Sequence, residues 1–195
     1  MKEPEQPLAV SSDAALMLRV RWGDEFAFEE LYRRYFRKLL NFFYAMSRNP
    51  QNAEDLMQET FGRIWKQRCR YEPDGSFAAY VFAFARNIWL ERCRVVRREH
   101  LASVDVPFEN LRIPAGSAVD APDILAERSE IEQQILSVLV NLPDEQRMAF
   151  VMRYVQRLSL NEIAEIMKCP VNTVRSRKLL AVRKLREALR CLYVV

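Results

Sequence analysis

The sequence predicts an all-α protein: two small helical domains joined by a flexible linker, the C-terminal one containing a helix-turn-helix. Three observations carry this. Only four of the 195 residues are glycine, against an average usage of roughly 7%, so the tight turns of a β-rich fold are undersupplied. Apolar residues recur at three- and four-residue spacings through most of the chain, the period of an amphipathic helix. Between His100 and about Pro122 that period stops, and Pro107, Pro114, Gly116 and Pro122 punctuate the stretch. A break of about 20 residues without an element separates domains more naturally than it crosses one. The expected boundaries are 13–99 for the first domain, 100–122 for the linker and 123–195 for the second.

Residues 1–12 are polar and contain proline, as frayed termini do. Ser12 or Asp13 caps a short helix, AALMLRVRW, ending near Gly23. The second helix has Asp24 and Glu25 at its start and Arg48 at its end, the order the helix dipole favours. Phe28, Leu31, Tyr32, Tyr35, Leu39, Phe42 and Phe43 form its apolar stripe. Pro50 stops it, and Asn52 caps a third helix, AEDLMQETFGRIWKQRCR, with Met57, Phe61, Ile64 and Trp65 facing inward. YEPDG (71–75) has turn chemistry. Ser76 then opens a long helix, FAAYVFAFARNIWLERCRVVRRE, which changes from aromatic to strongly basic.

After Pro122, DILAERSEIEQQILSVLVNL has the helical period. Pro143, with Asp144 and Glu145 behind it, opens the helix DEQRMAFVMRYVQR. Ser159 and Glu162 fit a capping box at the head of about eight helical residues ending near Lys168. Pro170 breaks the chain before the last helix, VNTVRSRKLLAVRKLREALRCL.

Composition excludes several functions. The glycines lie at least 13 positions apart, so no glycine-rich phosphate cradle can form. The four cysteines (Cys69, Cys93, Cys169, Cys191) form no C-x-x-C pair, and His100 is the single histidine. Zinc sites draw on close ligand pairs, so neither metal nor cofactor is expected, and no catalytic nucleophile–base set is visible. No window approaches the roughly 18 uncharged apolar residues of a membrane span, and the N-terminus lacks a signal-peptide pattern. A cytoplasmic protein without membrane insertion of its own is expected. The formal charge is +4, distributed as +3 over residues 1–100, −5 over 101–135 and +6 over 136–195. Basic ends around an acidic middle favour a polyanionic partner.

Three constellations carry chemistry. In the C-terminal region, Ala164 is a small residue where two helices can cross, surrounded by Ile163, Met167, Cys169 and Val174. Val174, Ala181, Val182, Leu185 and Leu189 point inward on the last helix, and Arg175, Ser176, Lys178 and Leu179 point outward near its start. That is where a recognition helix meets base edges, and residues 171–190 hold seven bases and one acid. Lys168 occupies the turn position that usually takes glycine, at a cost of roughly 1 kcal/mol. A plain helix pair with a solvated basic face is the bland alternative.

In the third helix, Asp55, Gln58, Glu59 and Gly62 fall at i, i+3, i+4 and i+7, one polar stripe. Glycine inside a helix costs about 1 kcal/mol against alanine, which makes sense where another backbone comes close. Two carboxylates and an amide beside it suit a basic protein partner, and a solvated face is again the alternative. In the long helix, Phe77, Tyr80, Phe82, Phe84 and Trp89 interleave with Arg86, Asn87, Arg92, Arg94, Arg97 and Arg98. Rings beside arginines suit single-stranded nucleic acid, although Phe77, Phe84 and Trp89 are expected in the core.

FEELYRRYFRKLL, AEDLMQETFGRIWK and AYVFAFARNIWLERCRVVRRE, followed about 100 residues on by LSLNEIAEIM and PVNTVRSRKLLAVRKLREAL, together resemble the extracytoplasmic-function (group IV) sigma factors of the bacterial sigma-70 family. The resemblance spans roughly 15–99 and 123–190. It implies a sigma factor that binds core RNA polymerase through its β′ and β subunits and directs it to promoter DNA. Asp55, Gln58, Glu59, Gly62 and Arg63 would dock on polymerase. Tyr80, Arg86, Asn87, Arg92, Arg94, Arg97 and Arg98 would engage the minus-10 element, where a flipped base is captured. Arg175, Ser176, Lys178, Leu179 and Leu180 would read the minus-35 element, with Arg177 and Arg183 on phosphate. An anti-sigma factor wrapped around or wedged between the domains is implied as a further partner. The family often has tryptophan at the position of Tyr80. A dimeric helix-turn-helix regulator also fits residues 123–190, but leaves the Asp55–Glu59 stripe and the basic helix without a task.

Overall fold

The computed structural model describes residues 11–101 and 130–193. Most of the expected linker, and the start of the helix expected after Pro122, lie outside those residues. Among the described residues there is no strand, and the helices fall on either side of the linker.

The N-terminal group has four helices: α1 (Asp13–Arg21), α2 (Glu25–Ser47), α3 (Pro50–Gln67) and α4 (Phe77–Leu101). Ser12 caps α1, accepting from the Ala15 amide. Gly23, at φ 91°, turns the corner into α2. Asp24 caps α2 through the Ala27 amide and pairs with Arg19 at 2.8 Å. The amide first, with Arg19 in support, holds its carboxyl below the usual range against the opposing effect of burial.

The expected α2–α3 junction is corrected. α2 ends on Arg48 in the left-handed region, and Pro50 is the first residue of α3, capped by Asn49 rather than Asn52. Proline suits that first position because its missing N–H would have no helical partner anyway. α3 passes through a 3₁₀ turn (Arg68–Arg70) before the loop to α4. The core of the group is aromatic: Phe42, Phe43, Phe82 and Trp89 are fully buried, and Phe77 is buried as expected. Phe84 is only half-buried, packing beside Tyr80 at 5.1 Å.

The C-terminal group is α5 (Glu130–Leu139), α6 (Asp144–Phe150), α7 (Leu160–Met167) and α8 (Val171–Tyr193). The helix expected to run on through VMRYVQR instead widens into a π turn at Val151–Val155, and Arg157 then takes φ 59°. Wide turns of this kind are inserted locally in α-helices, and here Val151 and Met152 are both fully buried. The capping box forms in both halves: Ser159 Oγ accepts from the Glu162 amide, and Glu162 accepts from the Ser159 amide at 2.8 Å. Lys168 adopts φ 50°, ψ 49° at the end of α7, the conformation expected there. Ala164 is buried at the α7–α8 crossing, with Val174, Ala181 and Leu185 facing inward from α8.

The two groups pack together. α7 lies against both α4 and α8, and α2 contacts the π turn and α6. The Gln156 side-chain amide donates to the Lys38 carbonyl at 3.0 Å.

Candidate polymerase and nucleic-acid interfaces

The α3 stripe is fully presented. Asp55, Gln58, Glu59 and Gly62 are all exposed, on the helix face opposite Leu56, Met57, Phe61 and Ile64. A Cβ added at Gly62 would meet no atom within 4 Å. The packing of the described residues therefore does not require glycine there. Arg63 is held on two sides, 2.6 Å from Glu59 on its own helix and 2.6 Å from Glu91 on α4. The Glu91 and Glu59 carboxylates push the Arg63 guanidinium further toward its charged form, and Arg63 in turn holds the Glu91 carboxyl below its usual range. Asp55 accepts from the Gln51 amide at 3.1 Å. The stripe is thus flat at its middle, with part of its charge already paired.

On α4 the expected contacts divide by direction. At 3.6 residues per turn, Tyr80, Asn87, Arg94 and Arg98 fall within about 40° of one line. Asn87, Arg94 and Arg98 are exposed along it, and Tyr80 is half-buried. Tyr80 packs on Tyr71 at 5.0 Å, and burial raises the pKa of both phenols, so they remain neutral donors. Arg97 lies about 60–100° from those residues and Arg86 about 80–120°, both on the side opposite Arg92, and the Arg86 Nε is buried without a hydrogen bond. Arg92 is exposed, but more than 100° away by the same helical count. The structure therefore brings four of the seven expected residues onto one face.

On α8, Arg175, Ser176, Leu179 and Arg183 share the exposed face, and Leu179 is 57% exposed. Lys178, expected to point outward, is half-buried one turn from Val174, where it flanks the inward stripe. Leu180 is also half-buried. Arg177 is tied to the body of the domain, 2.6 Å from Glu145 and donating to the Cys169 sulfur.

The structure adds Asn172 to the outward face. It is exposed in the first turn, its Oδ1 accepts from Arg175 at 3.5 Å, and its carbonyl accepts from the Ser176 hydroxyl at 3.0 Å. The signal in the sequence was its place one turn before Arg175 and Ser176, and asparagine pairs well with adenine.

An exposed acidic strip on one helix, a basic face on another and an exposed basic face on a helix-turn-helix are the features expected of a DNA-binding protein that also docks on protein. Comparison with known proteins is specific. Residues 31–99 match sigma-70 region 2, and residues 132–185 match sigma-70 region 4. The chain is 30% identical to the RNA polymerase sigma-H factor of Pseudomonas aeruginosa, over 93% of this chain and 94% of that one. It is 30% identical to the ECF sigma factor SigW of Bacillus subtilis, over 88% and 91%. The fold is similar to that of the sigma factor RpoE of Bartonella quintana, in a co-crystal with the anti-sigma factor NepR (TM-score 0.66, 25% identity, 84% of this chain and 96% of that one). It is also similar to that of CnrH in complex with the cytosolic domain of CnrY (TM-score 0.68, 21% identity, 93% and 99%). The chain belongs to the extracytoplasmic-function sigma factors of the sigma-70 family. It is an alternative sigma factor that directs RNA polymerase to promoters, and it is not an enzyme. No helix among the described residues is long and apolar enough to cross a membrane.

Proposed function

We propose that residues 13–99 form the polymerase- and minus-10-binding domain and residues 123–195 the minus-35-binding domain, joined by 100–122. Asp55, Gln58, Glu59 and Gly62 dock on a basic surface of the β′ subunit, with Arg63 setting the geometry of Glu59. The observation that carries this is Gly62: it is exposed in the middle of a helix, with nothing among the described residues close enough to need it. The line of Tyr80, Asn87, Arg94 and Arg98 follows the minus-10 element, with Tyr80 available to stack on an extruded base. Arg86 and Arg97 reach the same strand from the side, and Arg92 acts on phosphate at most.

Asn172, Arg175, Ser176 and Leu179 meet base edges of the minus-35 element, Leu179 being suited to a thymine methyl. Arg183 contacts phosphate, and Arg177 positions the helix through Glu145. The relative RpoE, solved with the anti-sigma factor NepR, supports an anti-sigma partner for this chain as well, and we place its action in the cytoplasm.

The test is transcription in vitro with core enzyme on templates carrying single-base changes in each element. Arg175→Ala should lose discrimination at minus-35 positions only, and Asn87→Ala at minus-10 positions only. Selectivity that is unchanged in both variants would overturn the assignment.

A further inference from the structure

The corner between α1 and α2 carries two rings that the fold leaves in solvent. Trp22 is 87% exposed and Phe26 is 74% exposed, and Leu18, one turn before Trp22, is 38% exposed. Single exposed apolar residues are ordinary, whereas a cluster marks an interaction site. The backbone beneath the rings is fixed. The Trp22 amide donates to the Arg19 carbonyl at 3.0 Å and closes α1. Gly23 makes the bend, and Asp24 both caps α2 and pairs with Arg19. Trp22 and Phe26 are therefore displayed on a preformed frame, which lowers the cost of ordering them around a ligand.

Cations stand beside the rings. The 3₁₀ turn Arg68–Arg70 packs on the end of α1, where the Cys69 thiol donates to the Arg21 carbonyl at 3.8 Å and the Arg21 guanidinium donates to the Tyr71 carbonyl at 3.3 Å. Arg21 and Arg70 are both exposed there. The exposed carboxylates Glu25 and Glu29 belong to α2 and Glu72 to the loop, so Arg21 and Arg70 mark the path open to an anion. The corner also continues the α4 face. Tyr80 stands at the end of that face away from Arg94 and Arg98, and its ring is 5.0 Å from the ring of Tyr71. Tyr71 is thus the one residue between the Tyr80 ring and Arg21. The Arg98 end of α4 leads on along the chain to the minus-35 domain, so the Tyr80 end faces the start site. A strand that runs along α4 past Tyr80 arrives at Arg21, Trp22 and Phe26. Rings beside guanidinium groups suit unpaired bases and their phosphates.

We propose that Trp22 and Phe26 form a stacking platform for single-stranded DNA: they take unpaired promoter bases that follow the minus-10 element toward the start site, while Arg21 and Arg70 hold the phosphates. This rests on the reading of α4 as the minus-10 reader. Every base has a π face, so stacking tolerates sequence. The platform therefore lengthens the life of the melted promoter and does not choose among promoters.

The test uses the full chain bound to core enzyme and two fork templates. In the short fork the unpaired strand stops at the downstream edge of the minus-10 element; in the long fork it runs on toward the start site. Trp22→Ala combined with Phe26→Ala should weaken binding to the long fork about tenfold or more. Affinity for the short fork and for core enzyme should stay at wild type, and so should the melting temperature, because both rings are exposed. Trp22→Tyr with Phe26→Tyr should keep the long-fork affinity, and Trp22→Leu with Phe26→Leu should lose it, since leucine is apolar but cannot stack. Arg70→Ala should reduce the salt dependence of binding to the long fork only. Equal losses on both forks, no loss on the long fork, or full long-fork affinity in the leucine pair would each overturn the platform. Loss of core binding in the alanine pair would also overturn it and make the corner a protein-docking surface. If the wild-type chain shows no base preference on the short fork, the reading of α4 fails, and the long-fork comparison of the wild-type, alanine and tyrosine chains then decides the platform alone.

Discussion

The strip on α3 and the outward face of α8 are both exposed and polar, but they are prepared differently. On α3, Arg63 is fixed between Glu59 and Glu91, Asp55 is held by Gln51, and Gly62 leaves the middle flat. On α8, Arg175 reaches Asn172 only at 3.5 Å, Arg183 stands 3.9 Å from Glu187, and Leu179 projects into solvent. On the proposed roles, the difference follows from the partner. A protein surface presents one fixed arrangement of charge, so a strip ordered in advance loses little freedom on docking. Base edges present donors and acceptors that differ from site to site, so the side chains that read them must turn onto them.

Five variants would break or sharpen this contrast. The largest effect is expected from Asp55→Arg combined with Glu59→Arg. Opposing like charges across an interface cost several kcal/mol, so affinity for core enzyme should fall roughly 100-fold or more. The fold should lose little, because exposed ion pairs such as Glu59–Arg63 contribute about 0–1 kcal/mol. Core affinity near wild type, measured by fluorescence titration, would remove α3 as the docking face. Arg175→Ala comes next, with about 1–3 kcal/mol lost at a single minus-35 position and core binding untouched.

Gly62→Leu separates docking from folding by sign. Leucine is the better helix former by about 1 kcal/mol, and there is open space around Gly62. The melting temperature should therefore rise slightly while core affinity drops about tenfold; a fall in both would place Gly62 in the fold rather than the interface. The smallest effect is expected from Asn172→Ala, about 1 kcal/mol of discrimination at the base next to that read by Arg175. Lys178→Ala is its control and should leave base preference unchanged, because Lys178 flanks the buried stripe.

Much of this was legible in the chain itself. The capping box at Ser159–Glu162 and the left-handed Lys168 are local features, set by residues within a few positions of one another. The polar stripe on α3 needed only helical spacing. Other features depended on neighbours distant in the sequence. Spacing marks Arg63 for the docking strip, but not its pairing with Glu91, 28 positions later. Spacing likewise marks Arg177 for phosphate, but not its pairing with Glu145, 32 positions earlier. The α2–α3 junction was misread because a proline that ends one helix and a proline that opens the next look alike in a string of residues. What separates them is the cap, supplied here by Asn49.

The sequence alone determined which segments are helical, the helix-turn-helix, the polar stripe and the family, because each rests on spacing within one segment or on motif order along the chain, whereas the α2–α3 cap and the π turn at Val151–Val155 were not legible there. Tertiary structure decided which of the marked residues share a face, which are already paired, and how the two halves meet. The Cys93–Asp144 contact joins residues 51 positions apart, and no local period encodes it. It exists only when α4 and α6 bury the surfaces that each leaves uncovered.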